Sequence, residues 1–484
     1  MFRIFVMSKE PLTIIIFGAT GDLYKSKLAL ALWSLFSLGF LSKELRVIGF
    51  ARKQMTDLDF QNITKEAILK KIKSIDPGLF DDFLKCFTYT RGDLEDIKSF
   101  KKLSIDLGES DAKRGSCTNK LFYLAVPPTL YASIFQNIAL AGLTIPCAPS
   151  VKGSVGAWTR VLVEKPFGKD IVEAKRLDKM LGELFHESQI FRIDHYLAKE
   201  TMQNLLTFRF SNGVFESLWS NKNIERVRIV FHEKNIPEDT LSNRGAFYDG
   251  VGALRDVGQN HMLQMLALVA MENPKVMSPE KIQDARSKVL EKVSLLKEEA
   301  LLRGQYEGYL NEPNIKDDSQ TETFFRAVLG VNNKRWLGVP FEMESGKALS
   351  KEEMSIEVFF KKLSPCFCKS VHEGGHQNVL KFIIQPNEGI KFKFWFKRPG
   401  FDFVLVPQDL SFHYSDMLAS NSKEGRLRDA YERVLFDCIS GDQTLFTNTK
   451  EIMAEWLIVT DIIKKWQKIP LVKYQKGSVA SDIK

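Results

Sequence analysis

Thr13-Ile-Ile-Ile-Phe17 is a short run of β-branched and aromatic residues with almost no polar alternation. Two glycines, Gly18 and Gly21, cut it off before a helical pattern opens at residue 26. A strand of this kind needs cover on both faces, which a parallel sheet flanked by helices provides. Glycines at the turn into the next helix let backbone N–H groups approach a pyrophosphate, whose charge sits at the positive helix end. The full G-x-G-x-x-G spacing is missing, so a plain β-to-α turn stands as the alternative reading.

The same alternation continues to about residue 190. Apolar runs at 13–17, 46–50, 120–125 and 160–163 read as strands, and amphipathic stretches at 26–39, 57–72, 129–142 and 170–186 read as helices. Strands separated by helices predict βαβ units and a parallel sheet. Beyond about residue 205 the strand-like segments 208–210, 226–233, 324–330, 354–360, 379–385 and 390–396 have few helices between them. Lys391-Phe-Lys-Phe-Trp-Phe396 alternates polar with apolar, the mark of an antiparallel sheet with one face in water or in an interface. Helical stretches at 278–301 and 428–466 complete this half.

The expected fold class is therefore α/β followed by α+β. An N-terminal Rossmann-like dinucleotide-binding domain precedes a β+α domain with a large, mainly antiparallel sheet. At 484 residues the chain exceeds what one core serves. The boundaries read as a disordered lead over 1–10, a dinucleotide domain over 11–192 and a β+α domain over 193–484, with a frayed tail after Tyr474.

Lys+Arg outnumber Asp+Glu by 68 to 60, but the excess is scattered. That speaks against a nucleic-acid stripe and for a mild pull on phosphates. The six cysteines (Cys86, Cys117, Cys147, Cys366, Cys368 and Cys438) show no framework, and only Cys366 and Cys368 are close. They read as free thiols of a reducing cytoplasm, with no metal site. No apolar run approaches the roughly 18 residues of a membrane span, and Met1–Val6 lacks the features of a signal peptide.

Arg46-Val-Ile-Gly-Phe-Ala-Arg52 ends in a guanidinium where sites for NAD usually place an acid on the ribose 2′-hydroxyl. A guanidinium suits a 2′-phosphate, so NADP is the expected coenzyme, with Thr20, Lys27 and Arg52 as polar contacts. Further on, Ile190-Phe-Arg-Ile-Asp-His-Tyr-Leu-Ala-Lys-Glu200 follows a strand-like run and should emerge at the carboxyl end of the sheet. On a helix, His195, Tyr196 and Lys199 would share a face and could converge on a phosphate, leaving Asp194 to orient another group. That group is expected to be His261, in Arg255-Asp-Val-Gly-Gln-Asn-His261, since a neutral imidazole accepts a proton near pH 7 and a carboxylate behind it fixes the tautomer. A satisfied core histidine is the alternative.

Taken together, these residues resemble the glucose-6-phosphate dehydrogenase family over most of the chain, from about residue 14 to 466. Nine matches come in order: Gly18-Ala-Thr-Gly-Asp-Leu23, Gly49-Phe-Ala-Arg52, Ala125-Val-Pro-Pro128, Glu164-Lys-Pro-Phe-Gly168, Arg192–Glu200, Arg255–His261, Ser345-Gly-Lys-Ala-Leu349, Gln385-Pro-Asn-Glu388 and Asp429-Ala-Tyr-Glu-Arg433. The resemblance implies oxidation of glucose 6-phosphate at C1 with NADP, the first step of the oxidative pentose phosphate pathway, by a homodimer or homotetramer. It implies His261 as general base and Asp194 as its carboxylate partner. His195, Tyr196 and Lys199 would hold the sugar phosphate, and Lys165 would reach both substrate and coenzyme. Glu233, Asp256 and Lys347 would bind the sugar hydroxyls or its phosphate end. Gly18, Thr20, Gly21, Asp22, Leu23, Lys27 and Arg52 would hold the coenzyme.

Three positions depart from the family pattern: Tyr24 replaces a small residue, Ala198 replaces glycine, and Glu352 stands where a basic residue is common, with Lys351 beside it as a candidate for compensation. Another NADP-linked sugar oxidoreductase, or a non-catalytic NADP-binding sensor, are the competing functions. If Arg52 reads the 2′-phosphate, Arg52→Asp should erode the preference for NADP over NAD, because a carboxylate repels that phosphate. Competition binding with the two dinucleotides measures it, and an unchanged ratio would remove Arg52 from that role.

Overall fold

Every side chain of β1 (Leu12–Phe17) is buried, in a computed structural model that describes residues 10–146, 156–234, 248–362, 376–421 and 426–484. Within those residues the chain divides into two compact units. One comprises Met1–Gly168, Val172–Ala198 and Arg428–Thr449, the other Lys169–Ile171, Lys199–Leu427 and Lys450–Lys484.

With strands numbered along the chain, the first unit holds β1, β2 (Leu45–Ala51), β3 (Phe87–Arg91), β4 (Asn119–Leu124), β5 (Thr159–Val163), β6 (Ile190–Ile193) and the short β15 (Phe446–Thr447). They form one sheet in the order β15-β6-β5-β4-β1-β2-β3. The first six are parallel, in the 3-2-1-4-5-6 order of a dinucleotide-binding fold. β1 sits centrally, its backbone bonded to β2 and β4, so its carboxyl end is fixed from both sides. The Phe17 ring packs 5.3 Å from that of Phe50 and 5.4 Å from that of Phe100. β15 runs antiparallel to β6. The helix Ala430–Ser440 is tied to the same unit by Ser34, whose hydroxyl donates to Glu432 at 2.6 Å, and by Arg160, which donates to the Cys438 and Ile439 carbonyls. Residues 193–198 and 428–449 thus fall in the first unit, whereas the boundary read from the sequence assigned them to the second.

The second unit is built on a sheet ordered β14-β13-β12-β11-β7-β10-β9-β8-β16. Its strands are β7 (Ile224–His232), β8 (Val293–Tyr306), β9 (Phe324–Val331), β10 (Phe341–Gly346), β11 (Glu353–Phe360), β12 (Val379–Gln385), β13 (Gly389–Lys397), β14 (Leu405–His413) and β16 (Leu471–Tyr474). Only the β7–β10 and β8–β16 pairs among them are parallel. The helix Thr449–Trp466 presents Glu451 and Glu455 one turn apart. Glu451 accepts from Arg286 Nε at 2.6 Å, and Glu455 accepts from Gln259 and Gln264 at 3.3 and 2.6 Å. Since 259 and 264 flank His261, this helix sets where that histidine stands.

Several sequence expectations change. Residues 208–210 are not a strand but part of the helix Glu200–Ser211, which buries Met202, Leu205, Leu206 and Arg209 at helical spacing. The stretch 278–301 is a helix only over Pro279–Leu290; beyond it β8 pairs with β9. The stretch 428–466 breaks at Gly441, whose φ of +78° ends one helix before β15 and the next helix. The tail after Tyr474 is packed rather than frayed, with Ala480 and Ile483 only 5% and 3% exposed. Cys86 and Cys438 are free, but Cys117 is disulfide-bonded, against the expectation of free thiols. Pairing needs two Cα atoms within about 7 Å, which spacing along a chain does not reveal. Cys147, Cys366, Cys368 and residues 1–9 lie outside the described residues. No helix among the described residues is long and apolar enough to cross a membrane.

Removing one partner of a fully buried ion pair leaves the other charge uncompensated. Arg286→Ala should therefore cost about 3–5 kcal/mol of unfolding free energy by urea titration. A loss under 1 kcal/mol would mean that Glu451 sheds its charge cheaply.

Candidate functional site

At the end of β1 the chain turns through Gly18 at φ +82°, and the Gly18 N–H donates to the Phe50 carbonyl at 3.0 Å. A Cβ on Gly18 would stand 2.3 Å from the Ala125 oxygen, so only glycine fits between β1 and the end of β4. The Gly21 N–H donates back to Gly18 O at 2.9 Å, and a helix opens at Asp22 with a π-helical turn over Tyr24–Leu28. Thr20, Gly21 and Leu23 are half-buried and Asp22 is exposed, around the helix start. This is a backbone cradle at a positive helix end, which fits a pyrophosphate.

Tyr24 leaves that cradle alone. Its ring is fully buried against Phe60, and its hydroxyl bonds to Thr64 at 2.5 Å. Burial pushes its pKa well up, opposed by the Thr64 bond. Lys27 pairs with Asp429 at 3.0 Å and lies over the Tyr431 ring. Arg52 is exposed one residue past β2, and Arg91 of β3 donates to its carbonyl at 3.3 Å.

Lys165 follows β5, beside the buried Glu164. Glu164 accepts from the Tyr123 hydroxyl at 2.6 Å, while Tyr131 donates to its carbonyl at 2.9 Å. Burial raises the Glu164 pKa, against the Tyr123 bond and the Lys165 charge. Past β6, residues 194–199 form a turn and not a helix, so the shared helical face expected for His195, Tyr196 and Lys199 does not exist. Asp194 is 3% exposed, and its Oδ1 accepts from the Tyr196 N–H at 2.9 Å, shaping the turn. The His195 ring stacks on that of Tyr431 at 5.9 Å. Ala198 is buried inside this turn.

In the second unit Lys199 caps the helix Glu200–Ser211 and lies 3.9 Å from Glu388, whose carboxylate also accepts from the Thr201 N–H. β7 and β10 run side by side and deliver Glu233 and Lys347 at their ends. The Lys347 ammonium bonds to Glu233 and stands 3.5 Å from Asp256. Burial alone would pull the Lys347 pKa down, but the two carboxylates outweigh it and the net direction is up. One cation between two acids offers donors and acceptors suited to hydroxyl groups, and repels a dianion. His261 is fully buried, its ring stacked on Phe231 at 6.3 Å, in a π-helical stretch Leu254–Met262 that also carries Asp256. Such wide turns recur at functional sites. Glu352 is exposed, and Lys351 is bound to Glu353 rather than set against Glu352.

Sequence reasoning missed Glu322. It is 5% exposed, and its Oε1 accepts from the Leu254 N–H at 3.0 Å, at the head of the helix bearing Asp256 and His261. A Cβ on Gly252 would fall 2.4 Å from that oxygen, so the glycine makes room for the carboxyl. No local pattern links residue 252 to 322; only the fold does.

Two family models match in succession: "Glucose-6-phosphate dehydrogenase, NAD binding domain" over residues 15–204 and "Glucose-6-phosphate dehydrogenase, C-terminal domain" over 206–482. A curated relative, glucose-6-phosphate 1-dehydrogenase 5, cytoplasmic, of Arabidopsis thaliana, is 38% identical over 474 residues, 96% of this chain and 89% of that protein. The glucose-6-phosphate 1-dehydrogenase of Chlamydia pneumoniae is 36% identical over 474 residues, 95% and 90% of the two chains. A solved structure of glucose-6-phosphate dehydrogenase in complex with its substrate glucose-6-phosphate has a TM-score of 0.86 at 31% identity, covering 98% of this chain and 96% of that one.

Burial lifts the Glu322 pKa from 4.5 to about 7, against the Leu254 hydrogen bond. A raised carboxyl pKa contributes stability that is full below the ordinary value and is lost as pH rises through the folded one. Between pH 4.5 and about 7, wild-type stability should therefore fall relative to Glu322→Gln, which cannot ionise. Denaturant titrations of both proteins across that window check it, and parallel curves would refute it.

Proposed function

This chain belongs to the glucose-6-phosphate dehydrogenase family, and from that premise we propose how its residues oxidise glucose 6-phosphate at C1 to 6-phosphogluconolactone. The observation that carries the reading is the match of both family domains, in order, along one chain. NADP, the family's coenzyme, accepts the hydride when bound, and the Gly18–Gly21 cradle fits its pyrophosphate. Arg52, exposed at the end of β2, is assigned to its 2′-phosphate, with Thr20, Asp22, Leu23 and Lys27 around the helix start.

A hydride leaving C1 takes the C–H electron pair, so the hydroxyl proton must leave as well to form the lactone carbonyl. We assign that proton to His261, with Asp194 in the role of orienting carboxylate. His195, Tyr196 and Lys199 are assigned to the phosphate, which anchors the sugar far from the reacting carbon. Glu388 beside Lys199 partly offsets its charge, so histidine and tyrosine share the grip. Glu233, Asp256 and Lys347 are assigned to the sugar hydroxyls, as their mixed charge favours, and Lys165 to the meeting of substrate and coenzyme.

A cytoplasmic location and assembly as a homodimer or homotetramer belong to the same proposal. Support for assembly comes from β13, β14 and the loop between them, where Phe396, Phe403, Leu410 and Phe412 are exposed.

NADPH formation should require glucose 6-phosphate, with glucose or NAD giving far less. Equal rates with glucose would favour another sugar oxidoreductase, and dinucleotide binding without turnover would favour a sensor. His261→Asn should lower turnover by roughly 10²–10⁴-fold with dinucleotide affinity intact. Retained turnover would remove His261 as the base.

A further inference from the structure

We propose that the C-terminal segment 474–483 is a positioning element for Lys347, holding that lysine's turn in a backbone conformation the turn does not favour alone. The proposal rests on the assignment of Lys347 to the substrate.

Ala348, the residue after Lys347, has φ +55°, in the left-handed region that costs any residue with a Cβ. Such a residue persists only where its surroundings over-determine it. Here the C-terminal segment takes up the turn's backbone groups one after another. The Tyr474 hydroxyl donates to the Lys347 carbonyl at 2.7 Å, and the Gly477 N–H donates to the Ala348 carbonyl at 2.7 Å. Leu349 forms a β-bridge with Ser478, and the Ser350 N–H donates to the Ser478 carbonyl at 2.9 Å. From the other side, the Lys347 N–H donates to Thr323 O at 2.9 Å and the Leu349 N–H to Glu233 O at 3.0 Å.

The segment is itself firmly seated. Tyr474 is 5% exposed, its hydroxyl lies 2.9 Å from Thr323 Oγ1, and its ring packs edge-on against Phe324 and Tyr306. Farther along, Arg326 donates to the Ala480 carbonyl at 2.9 Å, and Ala480 and Ile483 enter the same apolar cluster as Tyr248. Tyr248 in turn places its ring 5.1 Å from the Lys347 ammonium. The lysine's backbone and its charged end are thus both referred to one cluster that the C-terminal segment completes. Tyr474 also lies close enough to Glu233 to feel its charge, so the segment's effect should fall on the grip on the sugar that Lys347 and Glu233 share.

The test uses the full chain with Tyr474→Phe, which removes a single hydroxyl, and Ala348→Gly, which makes the left-handed turn cheap. Tyr474→Phe should raise KM for glucose 6-phosphate about fivefold, the worth of one such hydrogen bond. NADP affinity and kcat should hold. Amide hydrogen exchange at Leu349 and Ser350 should speed up. Adding Ala348→Gly to Tyr474→Phe should recover part of the lost affinity, a rescue that a merely structural role would not produce. Unchanged exchange, or faster exchange with KM unmoved, would overturn the proposal. A wild-type enzyme inactive on glucose 6-phosphate would instead sink the functional reading, with the exchange data still judging whether the segment holds the turn.

Discussion

Charge taken out of water must be answered by a partner, and both units are organised around that demand. Lys347 is held charged between Glu233 and Asp256, although burial alone would pull its pKa down. Arg286 answers Glu451, and Gln259 and Gln264 answer Glu455. Where burial outweighs the nearby cations the carboxyl drifts toward neutrality instead, as at Glu322 beside Arg255 and Arg303. The pairs at Lys347, Glu455 and Glu322 fix elements that carry candidate functional side chains, so satisfying buried polar groups and building the site go together.

The two units meet the demand differently. In the first, the ligand-facing groups are mostly backbone. Parallel pairing on both edges of β1 brings Gly18 against the end of β4, and the helix start that follows offers the positive end that suits an anion. In the second, the groups are side chains at strand ends and on a widened helix. The parallel β7–β10 pair puts Glu233 and Lys347 at matching ends, and the π-helical stretch presents Asp256 and His261. A dinucleotide pyrophosphate suits the first kind of surface and a polyhydroxylated sugar the second.

Legibility followed the range of the interactions. Parallel strands buried on both faces announce themselves as apolar runs, so β1, β2, β4 and β5 were readable with their helices. Phe208-Arg-Phe210 misled because its β-prone residues are outvoted by the helical spacing of Met202, Leu205, Leu206 and Arg209. The first part of β8, up to residue 301, reads as helix because it is rich in Leu, Lys and Glu, and only its pairing with β9 makes it a strand. Residues 194–199 are a turn rather than the helix on which His195, Tyr196 and Lys199 would share a face: Asp194 bonds its own backbone two residues on, and that competes with a helix.

The sequence by itself determined the identity and order of the chemical groups: a glycine turn, a guanidinium after the second strand, Asp194 and His195 after another, and His261 beyond a polar run. Those are local facts, written in residue type and spacing, and they sufficed for the fold class and the family. Only the tertiary structure decided which distant residues complete them. Gly252 makes room for Glu322, Glu388 sits beside Lys199, and Tyr474 and Gly477 take up the carbonyls around Ala348. Such pairings join residues tens to well over a hundred positions apart, and hydrogen bonds of that range leave no periodicity in a chain for a reader to find.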